Sequence, residues 1–125
     1  MLLKDIRVLD LSTLLPGPLC SMLLADLGAD VIKIEGPKGD MMRDFEDSFF
    51  KTLNRSKKSI VIDLKTAEGK QIFKRLAKNA DVIIEGFRPG KMNSLGLGYS
   101  EIKKINSGII YCSITGYGQK GKNKG

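Results

Sequence analysis

A layered α/β domain on a mostly parallel sheet is the fold class this sequence predicts, on three observations. Strand-like and helix-like stretches alternate along the whole chain, with no run of hairpin signals. The most patterned stretch, Val8 to Glu35, reads as strand, loop, helix and strand, the unit from which parallel sheets are built. Its Pro16-Gly17-Pro18 turn falls at the carboxyl end of a strand and the start of a helix, where such sheets take up ligands.

Ile6–Leu11 is the first strand. A helix from about Pro18 to Leu27 follows, with Leu19, Met22, Leu23 and Leu27 at helical spacing. Proline near a first helical turn costs little, because that position lacks an intrahelical N–H partner anyway. Gly28 stops the helix, and Val31–Glu35 alternates as the second strand. Gly36-Pro37-Lys38-Gly39-Asp40 breaks it. Met41 to Ser56 has mixed polarity and little period, and reads as a loop with a helical turn around Phe49–Leu53. An excursion of this length is commonly functional or covers part of a partner.

Ser59–Asp63 is the third strand. Thr66 caps the next helix, with Glu68 in its first turn. Ile72, Phe73, Leu76 and Ala80 mark its buried stripe. Asp81–Glu85 is the fourth strand, an apolar centre flanked by acids, and Gly86-Phe87-Arg88-Pro89-Gly90 is a turn. Ser100 starts a short helix with Ile102 and Ile105 inward, and Gly108 ends it. Ile109–Ile114 is the fifth strand. Residues 116–125 contain four glycines and three lysines, and read as a flexible end that has left the core. The whole, 1–125, is one domain. Its sheet ends on a loop rather than a closing helix, so the chain reads as the first part of something larger.

Composition narrows the class. The chain has 125 residues, 42% of them hydrophobic, enough for one compact core. No apolar run approaches the roughly 20 residues of a membrane span, and the early charges do not suit a signal peptide. Cys20 and Cys112 lack metal-ligand spacing and read as reduced core residues of a cytoplasmic protein. The net charge of +7 is unevenly placed. Residues 1–62 hold nine basic and nine acidic residues; residues 63–125 hold twelve and five. A basic half suggests a polyanionic partner such as a phosphorylated ligand, a membrane surface or nucleic acid, or else a solvated face of scattered lysines. Aromatics make up 6% and are not interleaved with the basic residues, which argues against a single-strand nucleic-acid platform.

Catalytic groups are scarce. Histidine is absent, which removes the commonest general base and any Ser-His or Cys-His pair. No carboxylate cluster has metal-ligand spacing, and neither common nucleotide-loop motif is present. A binding surface is easier to assemble. Leu14–Pro18, Asp63-Leu64-Lys65 and Gly86–Gly90 all leave strands, and in a parallel sheet such exits share one edge. Lys65 and Arg88 can pair with phosphates, the lysine as a point charge and the arginine as a fork. Phe87 can cover an aromatic base. The alternatives are a solvated lysine near a helix start, a core phenylalanine, and a Pro89-Gly90 that only turns the chain.

The order LLPGPLCSMLLADLGADVIKIE, LNRSKKSIVIDLKTAEGK, DVIIEGFRPGKMNSLGLGY and IIYCSITGYGQ resembles the N-terminal part of the class III coenzyme A transferase superfamily. That superfamily includes formyl-CoA transferase, carnitine CoA-transferase and alpha-methylacyl-CoA racemase. The resemblance covers nearly the whole chain. Leu14–Pro18 and Glu85–Gly90 look most like the racemase branch. The resemblance implies a Rossmann-like fold with helices on both faces, incomplete here relative to two domains whose chains interlock as rings.

It also implies a ligand: an acyl-CoA thioester, with no cofactor beyond the coenzyme A of that substrate. Ile62, Asp63, Leu64 and Lys65, with Gly86, Phe87 and Arg88, match segments that hold the CoA nucleotide. Gly17 and Pro18 match the turn near the thioester. The basic half then meets the phosphates of CoA, rather than nucleic acid or a membrane. Two positions depart from the family pattern. Gly36 and Ser94 stand where an arginine often occurs, with Lys38 and Lys91 as neighbouring point charges. The family's catalytic residues fall past Gly125. The expectation is therefore an N-terminal fragment of a racemase-like isomerase that is inactive by itself. A CoA-transferase fragment is the alternative, and a non-catalytic CoA-binding or interaction remnant is a third reading. The expected partner is a second copy, or a second polypeptide that completes the fold.

Overall fold

The computed structural model describes residues 1–124. Gly125, the last residue of the expected flexible end, lies outside the described residues. Five strands form one sheet: β1 (Arg7–Asp10), β2 (Asp30–Glu35), β3 (Lys58–Val61), β4 (Val82–Glu85) and β5 (Ile110–Ser113). Their order is β3-β2-β1-β4-β5, and every pairing is parallel. Register is set in the middle of the sheet, where Leu9 faces Ile32 on one side and Ile83 on the other. Each expected strand is present, shifted at its ends by one or two residues.

Six helices connect or follow the strands: α1 (Pro16–Asp26), α2 (Met42–Phe45), α3 (Asp47–Leu53), α4 (Ala67–Lys78), α5 (Lys91–Ser94) and α6 (Tyr99–Ile105). Parallel strands need such crossovers, and they place helices on both sheet faces. One face carries α4, α5 and α6. There Leu9, Ile34 and Ile83 pack with Phe73, Ala77, Met92, Leu97 and Ile102. The other face carries α1, where Val8, Val31 and Ile84 pack with Ala25, Ala29, Cys20 and Leu24.

Helix α4 follows its sequence. The Thr66 hydroxyl accepts the Gly69 N–H at 3.0 Å, and Arg75 and Lys78 stand in the last turn, favourably placed for the helix dipole. Ile72 departs from the expected stripe: it is exposed, and Ala77 takes the buried place beside Phe73. Ile105 of α6 is exposed as well, whereas Ile102 is fully buried. Two short helices replace the single turn expected near Phe49–Leu53.

The larger correction concerns α1. The helix begins at Pro16, two residues before the expected start, and buries Gly17, Pro18, Ser21, Met22 and Ala25. The leucines whose spacing announces it turn mostly outward: Leu19 is 38% exposed, Leu23 53% and Leu27 45%. The physical reason lies in the sheet beneath. Asp10 and Lys33 point up at the helix, and small or polar side chains are what can approach them. Gly17 shows the closeness, because a Cβ there would overlap the Ser12 side chain. Both cysteines are free and half-buried at the margin of this layer, and burial with the neighbouring Cys112 pushes the Cys20 thiol up. Residues 116–124 carry no helix or strand and are exposed.

Candidate functional site

A cleft of about 470 Å³ opens at the carboxyl edge of the sheet, above the ends of β2, β3 and β4. Its floor is apolar: Ile34, Ile62, Leu64, Phe87 and Leu95. Its rim carries Lys38, Lys65 and Lys91, one from each of three separate segments that follow β2, β3 and β4, with Glu35 and Asp63. Each lysine arrives by a local device. Gly36–Gly39 is a tight turn in which the Gly39 N–H donates to the Gly36 carbonyl at 2.9 Å, with Pro37 at the second position and Gly39 at φ +75°. The Asp63 carboxylate accepts the Lys65 N–H at 3.0 Å, an Asx turn that aims the residue off the strand end. Gly90 at φ +89° starts α5 and places Lys91 in its first turn.

Of the two rim carboxylates, Glu35 is already committed. Arg43 Nε donates to its Oε1 and Arg43 Nη2 to its Oε2, both at 2.8 Å, a bidentate fork. Ser59 Oγ and the Asp40 N–H donate to it too. The Arg43 fork, helped by these donors against the opposing effect of burial, lowers the Glu35 carboxyl from 4.5 to about 2. Phe50 backs the fork, with the Arg43 guanidinium 4.2 Å from its ring centre. Glu35 therefore stays ionised and occupied, and the lysines remain the rim's uncommitted charges toward an anion. An apolar floor with three ammonium groups around it suits a planar base carrying phosphates.

The structure brings Ile62, Asp63, Leu64, Lys65 and Phe87 into this cleft together. Gly17, Pro18, Gly86 and Arg88 do not line it. Gly17 and Pro18 are buried in the first turn of α1. Gly86 and Arg88 are exposed at the exit of β4. The loop before α1 is strained, since Leu14 takes φ +67° while half exposed, a conformation non-glycine residues adopt at a cost of about 1–3 kcal/mol.

On the other face of the sheet, under α1, lies a group of buried charges that the sequence reading missed. Asp10 accepts from Ser12 Oγ, Ser21 Oγ and Lys57 Nζ, the last at 3.2 Å. Lys57 Nζ donates as well to the Pro18 carbonyl at 3.1 Å and to Asn54 Oδ1 at 2.8 Å. Lys33 Nζ donates to the Ser12 carbonyl at 3.0 Å and stands 2.8 Å from Asp40 Oδ2. Burial pushes the Asp10 carboxyl up, but Lys57, the two serines and Lys33 together outweigh it, so it sits below the ordinary 3.8. Burial lowers the Lys57 ammonium, with Asp10 opposing. These bonds tie the loops after β1 and β2 to the chain entering β3. One signal was available: strand alternation puts Lys33 and Glu35 on the same face as Val31, and a sheet covered on both sides leaves that face no solvent.

Parallel strand order, helices on both faces and a lysine-rimmed cleft at the carboxyl edge define an open α/β domain of the Rossmann-like kind. The chain belongs to CoA-transferase family III, whose model matches residues 3–125. It is 48% identical to the succinyl-CoA:glutarate CoA-transferase of Mus musculus, over 95% of this chain and 29% of that protein. It is 46% identical to the succinyl-CoA–D-citramalate CoA-transferase of Chloroflexus aurantiacus, over 95% of this chain and 32% of that one. Among solved structures, a hypothetical protein from Mycobacterium tuberculosis superposes with a TM-score of 0.93 at 43% identity, over 98% of this chain and 36% of the other. A CAIB/BAIF family protein from Brucella suis also gives 0.93, at 40% identity, over 97% and 35%. The chain thus spans about a third of the length of the relatives it matches. The Mus musculus and Chloroflexus aurantiacus relatives bear transferase names, which moves the reading from the racemase branch to the transferase alternative. Among the described residues no helix is long and apolar enough to cross a membrane, and no group of side chains has the makings of a metal site.

Proposed function

We propose that this chain is the coenzyme-binding part of a CoA-transferase that moves CoA from a dicarboxylate thioester of the succinyl-CoA type to a second carboxylic acid. The cleft is the observation that carries this reading, in a chain of this family. Phe87, with Ile62 and Leu64, takes the base. Lys65, Lys38 and Lys91 take the phosphates as point charges. The pantetheine arm then runs along the carboxyl edge toward Gly17 and Pro18. In such a transfer an enzyme carboxylate attacks the thioester carbonyl and the CoA thiolate leaves; the thiolate then attacks the enzyme's side of the resulting anhydride, releasing the first acid and leaving CoA as an enzyme thioester, which the second carboxylate opens by the same steps in reverse. Nothing in the cleft serves as that carboxylate, because Glu35 is held by Arg43 and Asp63 by its own turn. The carboxylate comes from outside these residues, either from further sequence or from a partner chain, and a homodimer or a second polypeptide fits that need.

Calorimetric titration with CoA at low salt tests the binding. Each charge-assisted contact is worth about 1.5–3 kcal/mol, so Lys65→Ala weakens binding roughly tenfold or more. Arg88→Ala, outside the cleft, weakens it less than Lys65→Ala. Absence of CoA binding, or equal affinities for wild type and Lys65→Ala, overturns the reading. The protein as expressed from its own gene, given succinyl-CoA and a panel of dicarboxylates, forms the second CoA thioester. Deuterium exchange at the α carbon of a 2-methylacyl-CoA, without transfer, would restore the racemase.

A further inference from the structure

The buried pair Lys33 and Asp40 has no part in the binding reading, yet its position is specific. Lys33 is 2% exposed and its partner 4%. Stripping an ammonium and a carboxylate of water is unfavourable unless their geometry returns most of that loss. An apolar residue can fill this face of β2 without such a loss, as Val31 does. What the pair supplies is a constraint. Its two ends are seven residues apart and bracket the Gly36–Gly39 turn, which contributes Gly36, Pro37, Lys38 and Gly39 to the cleft. Three further bonds act on the same short segment. The Asp40 N–H donates to Glu35 Oε1 at 2.7 Å, Asp40 Oδ1 accepts the Met42 N–H at 2.9 Å, and Gly39 closes onto Gly36. The second partner of Lys33, the Ser12 carbonyl, belongs to the loop that leads into α1. One ammonium therefore joins the loop after β1 to the segment that carries the cleft-lining turn.

We propose that Lys33 is a positioning residue: its ion pair with Asp40 and its hydrogen bond to the Ser12 carbonyl lock the Gly36–Gly39 turn so that Lys38 is presented to the cleft. The role of Lys38 rests on the reading of the cleft as the CoA site, but the lock on the turn does not.

Amide hydrogen exchange on the chain, with and without Lys33→Met, tests the lock. Methionine keeps most of the volume and removes the charge. The Gly39, Asp40 and Met42 amides then exchange at least tenfold faster, while the Leu9 and Ile83 amides in the centre of the sheet keep their protection. Unchanged turn amides overturn the proposal. So does acceleration by one common factor throughout, which is the mark of a residue that only stabilises the fold. Should Lys33→Met not fold, Asp40→Asn keeps the size and the bond to Met42 while removing the charge, and is read the same way. A double-mutant cycle on CoA binding tests the delivery of Lys38. Lys38→Ala lowers affinity about tenfold in wild type and changes little once Lys33 is methionine; independent, additive losses overturn it. If wild type binds no CoA, the cleft reading falls, and the exchange experiment still decides the lock.

Discussion

On the sheet face covered by α4 and α6, Phe73, Leu97 and Ile102 are fully buried and nothing charged lies among them. On the face covered by α1, the largest fully buried side chain is that of Lys33, and Asp10 and Ser21 are buried with it. The first face is held by apolar packing, which is strong, non-directional and insensitive to pH. The second is held near the carboxyl edge by directional bonds between charged groups, and its helix presents Leu15, Leu19, Leu23 and Leu27 outward. The difference teaches where this domain places its stability and where it places geometry. Packing forms the body. The buried charges hold loop ends in fixed positions at the carboxyl edge.

The sharpest way to break this comparison is to damage each face once. Phe73→Ala removes the centre of the packed face and lowers stability by about 3–5 kcal/mol, read by urea unfolding. Lys57→Met leaves Asp10 buried without its cation and lowers stability by a similar 3–5 kcal/mol at neutral pH. The two losses separate on acidification. A protonated Asp10 no longer needs a counter-ion, so the Lys57→Met defect shrinks at low pH while the Phe73→Ala defect stays constant. Parallel pH profiles for the two variants would dissolve the distinction between the faces.

Acid also acts on the wild type. The folded Glu35 carboxyl lies near 2, below its ordinary 4.5. A depressed value means that its contribution is complete above about pH 4.5 and is lost as pH falls from there toward 2. Thermal melts across that window fall for wild type, with a smaller fall for Glu35→Gln. An identical slope in both would remove Glu35 from the account.

Binding sharpens the comparison at the edge itself. Gly36 lines the cleft, a Cβ there meets nothing, and its φ lies outside the left-handed range, so a side chain is tolerated. Gly36→Arg adds a fork where the rim has only point charges. It should tighten CoA binding by roughly tenfold, the gain of one charge-assisted contact, with little change in melting temperature. Unchanged affinity would place the phosphates elsewhere.

The smallest effect belongs to the outward leucines. Leu19→Ser and Leu23→Ser each change monomer stability by only about 1 kcal/mol, because these side chains are already partly in water. Concentration-dependent sedimentation reads their role instead: a reduced tendency to associate relative to wild type fits an apolar stripe that meets another surface.

Much of the edge is legible in the sequence. Strand exits at Asp63-Leu64-Lys65 and Phe87 reach the cleft because local pattern determines where a strand stops, and parallel pairing then brings all the exits to one side. The α/β class followed from the same alternation, and the cap at Thr66 from side-chain chemistry acting over three residues. These are short-range consequences, and the chain alone determines them.

Other features were decided only by the tertiary structure. Arg88 reads like a phosphate ligand, yet its turn carries it outside the cleft, while Lys91 three residues later is brought in by Gly90 and α5. The spacing of Leu19, Leu23 and Leu27 marks a helix without saying which side faces the sheet. That choice was made by Asp10 and Lys33 beneath it, whose partners Lys57 and Asp40 lie 47 and 7 residues further along the chain. A one-dimensional pattern records periodicity, and periodicity does not tell a buried charge with a distant partner from an exposed one. Only the packed sheet, with helices on both faces, removes the water and forces those charges together.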